Sequence, residues 1–282
     1  MDSKKTLEDF KADMELRGFS TRSVNVYIGA VSLYLKYCSE TAQTSGEESF
    51  RSYLIQLLRE KKLAKATANL YNSAIRFYLE ITLEQNINYK RTARCKPNHR
   101  YPTVLTQEEV KRFLSSVDNL KYRAIFQNIY GSGLRVSEIC SLQIGDIDSK
   151  SMRILVRQGK GKKDRYTILS NSGLTALREY WKAYRPTEYL FPGKSQNGNL
   201  GISAVEAAFR KYFTIAGINK SASVHTLRHS FATHLLEQGV PPLYIKELLG
   251  HSTFDATNIY LHLANTEVYS VRSPLDSEAD NA

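Results

Sequence analysis

The sequence predicts a mainly α protein of two domains, a helical bundle followed by an α+β domain with a small antiparallel sheet. Three observations predict it. Apolar residues recur at helical spacing through most of the 282 residues. That periodicity lapses between Asn86 and Thr103, where Pro97 and Pro102 interrupt any helix. Alternation of the strand kind is convincing only between Met152 and Leu169. The boundaries that follow are 1–85 for the bundle, 86–103 for a linker, 104–265 for the second domain and 266–282 for a tail.

Four helical stretches make up the bundle. The first carries Leu7, Phe10 and Met14. The second places Val24, Tyr27, Ile28, Val31, Leu35 and Cys38 on one face, with Ser20 or Thr21 as N-cap. The third reads as opening on a capping box, Ser45 with Glu48, ahead of Phe50, Tyr53, Leu54, Leu57 and Leu58. The fourth presents Tyr71, Ala74, Ile75, Tyr78 and Leu79. The linker holds Lys90, Arg91, Arg94, Lys96 and Arg100 without one acid. Such a stretch is either a solvated connector or a segment that follows a phosphate backbone and gains affinity from counterion release.

A second capping box, Thr106 with Glu109, opens the next domain. Helical faces follow at Val110, Phe113, Leu114 and Val117, and at Ile125, Phe126 and Ile129. Met152, Ile154 and Val156 then alternate with Arg153, Leu155 and Arg157, and Arg165 to Leu169 offers the return strand. The hairpin between them, Gly159 to Asp164, is crowded with Lys160, Lys162 and Lys163. Helices are expected again over 174–184, 202–216, 226–238 and 244–249, and a short one from Asp255 carries Tyr260. The last residues, 273–282, are polar and acidic and read as loosely ordered.

Hydrophobic residues make up 42% of the chain, a proportion that fits a globular protein rather than a disordered one. The formal net charge of +11 favours a polyanionic partner, with nucleic acid ahead of an anionic membrane. No uncharged apolar run approaches a membrane span, so neither export nor insertion is expected. Three cysteines (Cys38, Cys95, Cys140), far apart and without a CxxC, argue against disulfides and zinc and for the cytoplasm.

Four segments of the second domain gather the polar residues that carry chemistry. They are Gly131-Ser132-Gly133-Leu134-Arg135-Val136-Ser137-Glu138, the Lys160 hairpin, His225-Thr226-Leu227-Arg228-His229, and Leu248-Leu249-Gly250-His251 with Tyr260 nine residues on. Their joint order and spacing resemble the tyrosine recombinase (phage integrase) family, and most closely its compact Xer-like members. The resemblance covers the whole second domain. It makes the first a SAM-like, core-DNA-binding bundle and the second a catalytic domain.

The resemblance implies an active site in which Arg135, Lys160, His225, Arg228, His251 and Tyr260 match the family's catalytic set, with Glu138 as a supporting acid. Those residue types suit the reaction. The pentacoordinate transition state of a phosphodiester gathers charge on its non-bridging oxygens, which two guanidiniums meet with forked, permanently charged donors. A tyrosine, with a pKa of about 10, needs a cationic field and a proton acceptor, for which His225 is expected. His251 then hydrogen-bonds a phosphate oxygen, and Lys160 protonates the leaving 5′-oxygen. The link formed is a 3′-phosphotyrosine, reversible without ATP, cofactor or metal. The expected partner is double-stranded DNA with a specific core site, bound by four protomers on two duplexes, with an accessory factor or partner recombinase as an addition. Lys90, Arg91, Arg94, Lys96, Arg100, Lys162, Lys163 and Arg165 are the expected DNA contacts.

Other readings weigh against these. His225 and His229, four apart on one helix, could superficially bind a metal, but Arg228 between them would repel it. His229 and His234 read as structural or DNA-contacting, and Leu227, Phe231 and Leu235 as core. A DNA-binding regulator could use short helices near 240–257, but it needs no nucleophile. An enzyme of the type IB topoisomerase kind would share the chemistry but cut with little sequence preference.

Overall fold

The computed structural model describes residues 6–96, 101–157, 164–193, 198–251 and 253–261. The chain divides into two compact units, one ending at Arg100 and the other starting at Tyr101. The division falls inside the expected linker.

The first unit is all helical among its described residues. Helix α1 (Leu7–Leu16) starts from a capping box in which Thr6 Oγ1 accepts from Asp9 N–H and Thr6 N–H donates to Asp9 Oδ2 at 2.6 Å. Helix α2 (Thr21–Glu40) is capped by Ser20, whose Oγ accepts from Ser23 N–H at 3.2 Å. Helix α3 (Glu47–Arg59) corrects the expected Ser45–Glu48 box. Its N-cap is Gly46, and the Gly46 N–H donates to Ser49 Oγ and Tyr34 Oη. The buried Tyr34 ring, reaching over from α2, sets the start of the helix and overrides the local pattern. Helix α4 (Lys65–Phe77) runs on into a π-helical turn, Tyr78–Thr82. The core is the one the helical faces foretell, with Phe10, Val31, Tyr34, Phe50, Tyr53, Ile75 and Leu79 all buried.

The stretch after this turn packs back on the bundle as far as Cys95. Asn72 Nδ2 donates to Thr92 O at 2.8 Å, and Asn69 is bonded to Cys95 through both its amide oxygen and nitrogen. Arg91 donates to Glu47 at 2.9 Å and to Glu48 at 2.7 Å, and Arg94 donates to Ser73 Oγ at 2.7 Å. Lys90 and Lys96 are exposed, and Arg100 lies outside the described residues. The basic stretch is therefore neither a free connector nor uniformly available, because acids of α3 take up Arg91.

In the second unit, α5 (Gln107–Ser115) begins at the expected Thr106–Glu109 box, with both reciprocal hydrogen bonds formed. Helix α6 (Leu120–Ser132) is followed by the short α7 (Val136–Ser141) and a 3₁₀ turn, Ile144–Asp146. Strands β1 (Ile147–Asp148), β2 (Arg153–Val156) and β3 (Arg165–Ile168) form an antiparallel sheet in the order β1-β2-β3. In its register Ile154 faces Thr167 and Val156 faces Arg165. Ile154, Val156 and Thr167 are buried, so Arg165 is carried on the core-facing side, while Tyr166 and Ile168 point outward. Helices α8 (Asn171–Tyr184), α9 (Ile202–Ile215), α10 (Val224–Glu237), α11 (Pro242–Leu249) and α12 (Asp255–Leu261) complete the unit.

The main core joins Phe113, Phe126, Phe209 and Phe213, with the rings of Phe113 and Phe209 4.9 Å apart. Side chains of this size each contribute roughly 1.5–3 kcal/mol when fully buried. A smaller apolar cluster joins α10, α11 and α12 through Phe231, Ala232, Leu236, Ile245, Leu249 and Tyr260. It fixes where Tyr260 sits.

Candidate active site

Two tight helix ends shape the site. Gly133 closes α6 at φ +64°, a left-handed conformation, and a Cβ there would lie 2.5 Å from the Phe231 ring. The turn brings Arg135 to the start of α7. Gly250 closes α11 at φ +64°, where a Cβ would lie 2.8 Å from Arg165 Cδ. The carbonyls at these two ends then organise the guanidiniums. Arg228 Nη1 donates to Gly133 O at 2.5 Å and Nη2 to Leu249 O at 2.7 Å. Arg165 Nε donates to Leu248 O at 2.9 Å, and Arg135 Nη2 to Gly250 O at 3.4 Å. Carbonyls at a helix C-terminus carry partial negative charge, which suits a buried cation.

Glu138 is the anion at the centre. Its Oε1 accepts from Arg135 Nη1 at 2.6 Å and from Arg165 Nη1 at 2.8 Å. Its Oε2 accepts from Arg165 Nη2 at 2.9 Å and from the Arg135 N–H at 2.7 Å. Arg228 Nη1 lies 3.7 Å from the same carboxylate. Burial alone would raise the Glu138 pKa, but the Arg165 fork and the Arg135 contacts outweigh it and hold the carboxyl at about 2. Burial, then the Arg135 charge, lowers the Arg228 guanidinium to about 9, so it stays charged at neutral pH.

Helix α10 carries His225, Arg228 and His229 on neighbouring turns. The His225 side chain is exposed, and partial desolvation followed by the Arg228 and Arg135 charges lowers its pKa. His229 is half-buried, and its Nδ1 lies 3.0 Å from Tyr260 Oη. Burial, then His225 and Arg228, brings the His229 pKa down to about 4, which leaves the ring neutral at physiological pH. Tyr260 is 3% exposed. Burial raises its phenol, while Arg228 and Arg135 pull it back. His251 follows Gly250, its Nδ1 2.9 Å from Thr257 Oγ1 and its ring nearly parallel to that of Tyr260 at 6.2 Å. His234, one turn beyond, is buried with Nδ1 2.9 Å from Tyr130 Oη, away from this group.

The structure thus brings Arg135, Glu138, His225, Arg228, His251 and Tyr260 together within the second unit. Lys160, Lys162 and Lys163 lie outside the described residues. Arg165, expected on DNA, has all three guanidinium nitrogens engaged within the protein, which makes it part of the Glu138 cluster. The apolar pattern of β3 gave no signal for it, since Tyr166 and Ile168 are the exposed residues and Arg165 shares the face of buried Thr167. His229 was legible as a neighbour of Arg228 and of His225, but not as the partner of Tyr260. Among the described residues, no group of three or more His, Cys, Asp or Glu could hold a metal, and no helix is long and apolar enough to cross a membrane.

An arrangement of this kind suits phosphoryl transfer to a protein nucleophile on a mainly helical scaffold. Residues 103–267 match the phage integrase family, and residues 6–89 match the N-terminal SAM-like domain of phage integrases. A chain of Sinorhizobium fredii named integrase/recombinase y4qK is 38% identical over 265 residues, covering 94% of this chain and 86% of its own length. Tyrosine recombinase XerA of Pyrococcus horikoshii is 33% identical over 258 residues, covering 90% and 87%. The fold is shared with the XerH site-specific recombinase bound to palindromic difH substrate, at a TM-score of 0.74 and 22% identity over 92% of this chain and 82% of that one. The chain belongs to the phage integrase family and is a tyrosine recombinase, an enzyme of site-specific DNA recombination through a covalent DNA intermediate.

Proposed function

We propose that Tyr260 is the nucleophile and that it attacks a phosphodiester of duplex DNA to leave a 3′-phosphotyrosyl link and a free 5′-hydroxyl. The observation that carries this reading is that the Arg228 and Arg135 charges both act on Tyr260, while the same two guanidiniums converge on one buried carboxylate, Glu138. A guanidinium has five N–H groups. Two carbonyl contacts fix the plane of Arg228 and leave further N–H groups for the non-bridging oxygens of the phosphate. Arg135, tied to Glu138 through one Nη, meets the same anion. His225 and His251 flank it as hydrogen-bond donors. Lys160 of the hairpin is the acid for the leaving 5′-oxygen, in keeping with its match to the family lysine.

Exchange then proceeds in two rounds through a four-way junction, with four protomers on two duplexes. The resemblance to Xer-like recombinases and the XerH complex on difH support this assembly. Exposed Lys90 and Lys96 are candidate phosphate contacts, together with Arg94 and with Arg100, Lys162 and Lys163 outside the described residues. The cytoplasm is the compartment in which such an enzyme meets its DNA, and the task is movement of an integrated element or resolution of dimers.

The test is to mix the protein with fragmented DNA of its source in the presence of chelator, denature, and sequence the fragments left attached to protein. Fragments that cluster on one short core site are the expected result. Attachment scattered over unrelated sequences would instead indicate a relaxing enzyme of the topoisomerase kind.

A further inference from the structure

We propose that His229, rather than His225, is the proton acceptor for Tyr260. The inference deepens the reading above and rests on Tyr260 being the nucleophile. Its ground is contact: His229 Nδ1 lies 3.0 Å from Tyr260 Oη. That distance is within the reach a general base needs before any rearrangement. His225 sits one turn earlier on α10 with its side chain exposed, where a phosphate would arrive.

The surroundings define the acceptor's chemistry. His225 and Arg228 act on His229 from its own helix, and Arg135 from the α6–α7 turn acts on Tyr260. Tyr260 faces His229 from α12, the His251 ring stacks on Tyr260 from the turn after α11, and Glu206 of α9 acts on His225. Because burial keeps the phenol from ionising by itself, the proton needs a partner at the moment of attack. Burial first, and then the His225 and Arg228 charges, keep His229 neutral in the free protein and so leave its lone pair available. When a phosphate anion arrives on Arg228, their repulsion of an imidazolium falls, and His229 becomes a better base as the substrate is bound.

The step balances. The Tyr260 O–H bond breaks and its proton passes to His229 Nδ1, while the Oη electron pair forms the bond to phosphorus. The P–O5′ bond breaks, and the departing oxygen takes a proton from Lys160. On rejoining, an incoming 5′-hydroxyl gives its proton to the Lys160 amine, and His229 returns its own to Tyr260 Oη.

Single-turnover formation of the covalent adduct, followed from neutral pH to about pH 9.5 on a trapped core site, tests this in the full chain with His229→Gln. Loss of a general base costs about 10²-fold or more. The variant is expected to be slower by about that factor at neutral pH, with a rate that climbs as pH rises and narrows the gap as hydroxide takes over. An unchanged rate at neutral pH, or a loss of the same size at every pH, overturns the assignment while leaving Tyr260 as nucleophile. Absence of a Tyr260-dependent adduct in the unaltered protein removes the reading beneath it instead. Should His229→Gln unfold, histidine ¹⁵N spectra of the unaltered protein decide: an acceptor Nδ1 requires the proton on Nε2, with that resonance shifting in Tyr260→Phe. A His229 ring protonated on Nδ1 would sink the proposal.

Discussion

With Tyr260 replaced by phenylalanine, the protein is expected to bind duplex DNA as tightly as before and to lose covalent adduct formation. The ring keeps its place in the apolar cluster with Phe231, Leu236, Ile245 and Leu249, so packing is preserved. Among the described residues, the interaction lost is the hydrogen bond to His229, which costs about 1 kcal/mol. The chemistry has no such reserve, because the phenol on which the Arg228 and Arg135 charges act is the group removed. Adduct formation is expected to fall by roughly 10⁴-fold or more, the scale seen when an enzyme loses its nucleophile. Binding is followed by gel shift, and adduct by denaturing gel. An adduct that persists near the unaltered rate would mean that another residue attacks.

Replacing Glu138 by glutamine is expected to damage both stability and activity. The carboxylate faces three guanidiniums, with hydrogen bonds of 2.6 to 2.9 Å to Arg135 and Arg165 and Arg228 at 3.7 Å. Without it, buried positive charges face one another uncompensated, a change that typically costs about 3–5 kcal/mol. The acid dependence has a defined sign. The folded-state pKa of about 2 lies below the ordinary glutamate value of 4.5. Glu138 therefore contributes stability that is fully present above about pH 4.5 and is lost as pH falls through about 2, by about 3 kcal/mol in all. Urea unfolding of the two proteins across that range measures it. The unaltered chain should lose stability towards acid more steeply than Glu138→Gln, which lacks this titration. A variant within about 1 kcal/mol of the original at neutral pH would show that the cluster is not held by this anion.

Much of the architecture was legible because it is local. Helical faces such as Val24, Val31 and Cys38, or Val110 and Phe113, are buried where their spacing put them. The Thr106–Glu109 box forms because cap and acceptor are three residues apart on one turn. The exceptions are set at a distance. Ser45 and Glu48 carry the spacing of a capping box, but Tyr34 of the preceding helix bonds Gly46 and Ser49 and starts the helix elsewhere. Arg91, read as a phosphate contact, also pairs with acids more than forty residues earlier, Glu47 and Glu48, which its local sequence does not show. Strand β1 has two residues, too few for alternation to register.

The site divides in the same way. Arg135, Glu138, Arg228, His251 and Tyr260 belong to short motifs, and the resemblance identified them as a set. Arg165 was read by its charge, which suggests solvent or DNA, whereas its place opposite Val156 turns it to the core. The apolar pattern of β3 even points the other way, since Tyr166 and Ile168 are the exposed residues. The contact between His229 and Tyr260 spans 31 residues and depends on how α12 packs on α10. No periodicity within either helix could disclose it.

The proposed nucleophile is one atom, the phenolic oxygen of Tyr260, and mapping the covalent complex tests it most directly. Protein trapped on its core site is digested with protease and nuclease, and the peptide that carries the nucleotide is sequenced by mass spectrometry. A nucleotide joined through its 3′-phosphate to the Tyr260 peptide is the predicted result. A nucleotide on any other residue, or one joined through a 5′-phosphate, would contradict the account.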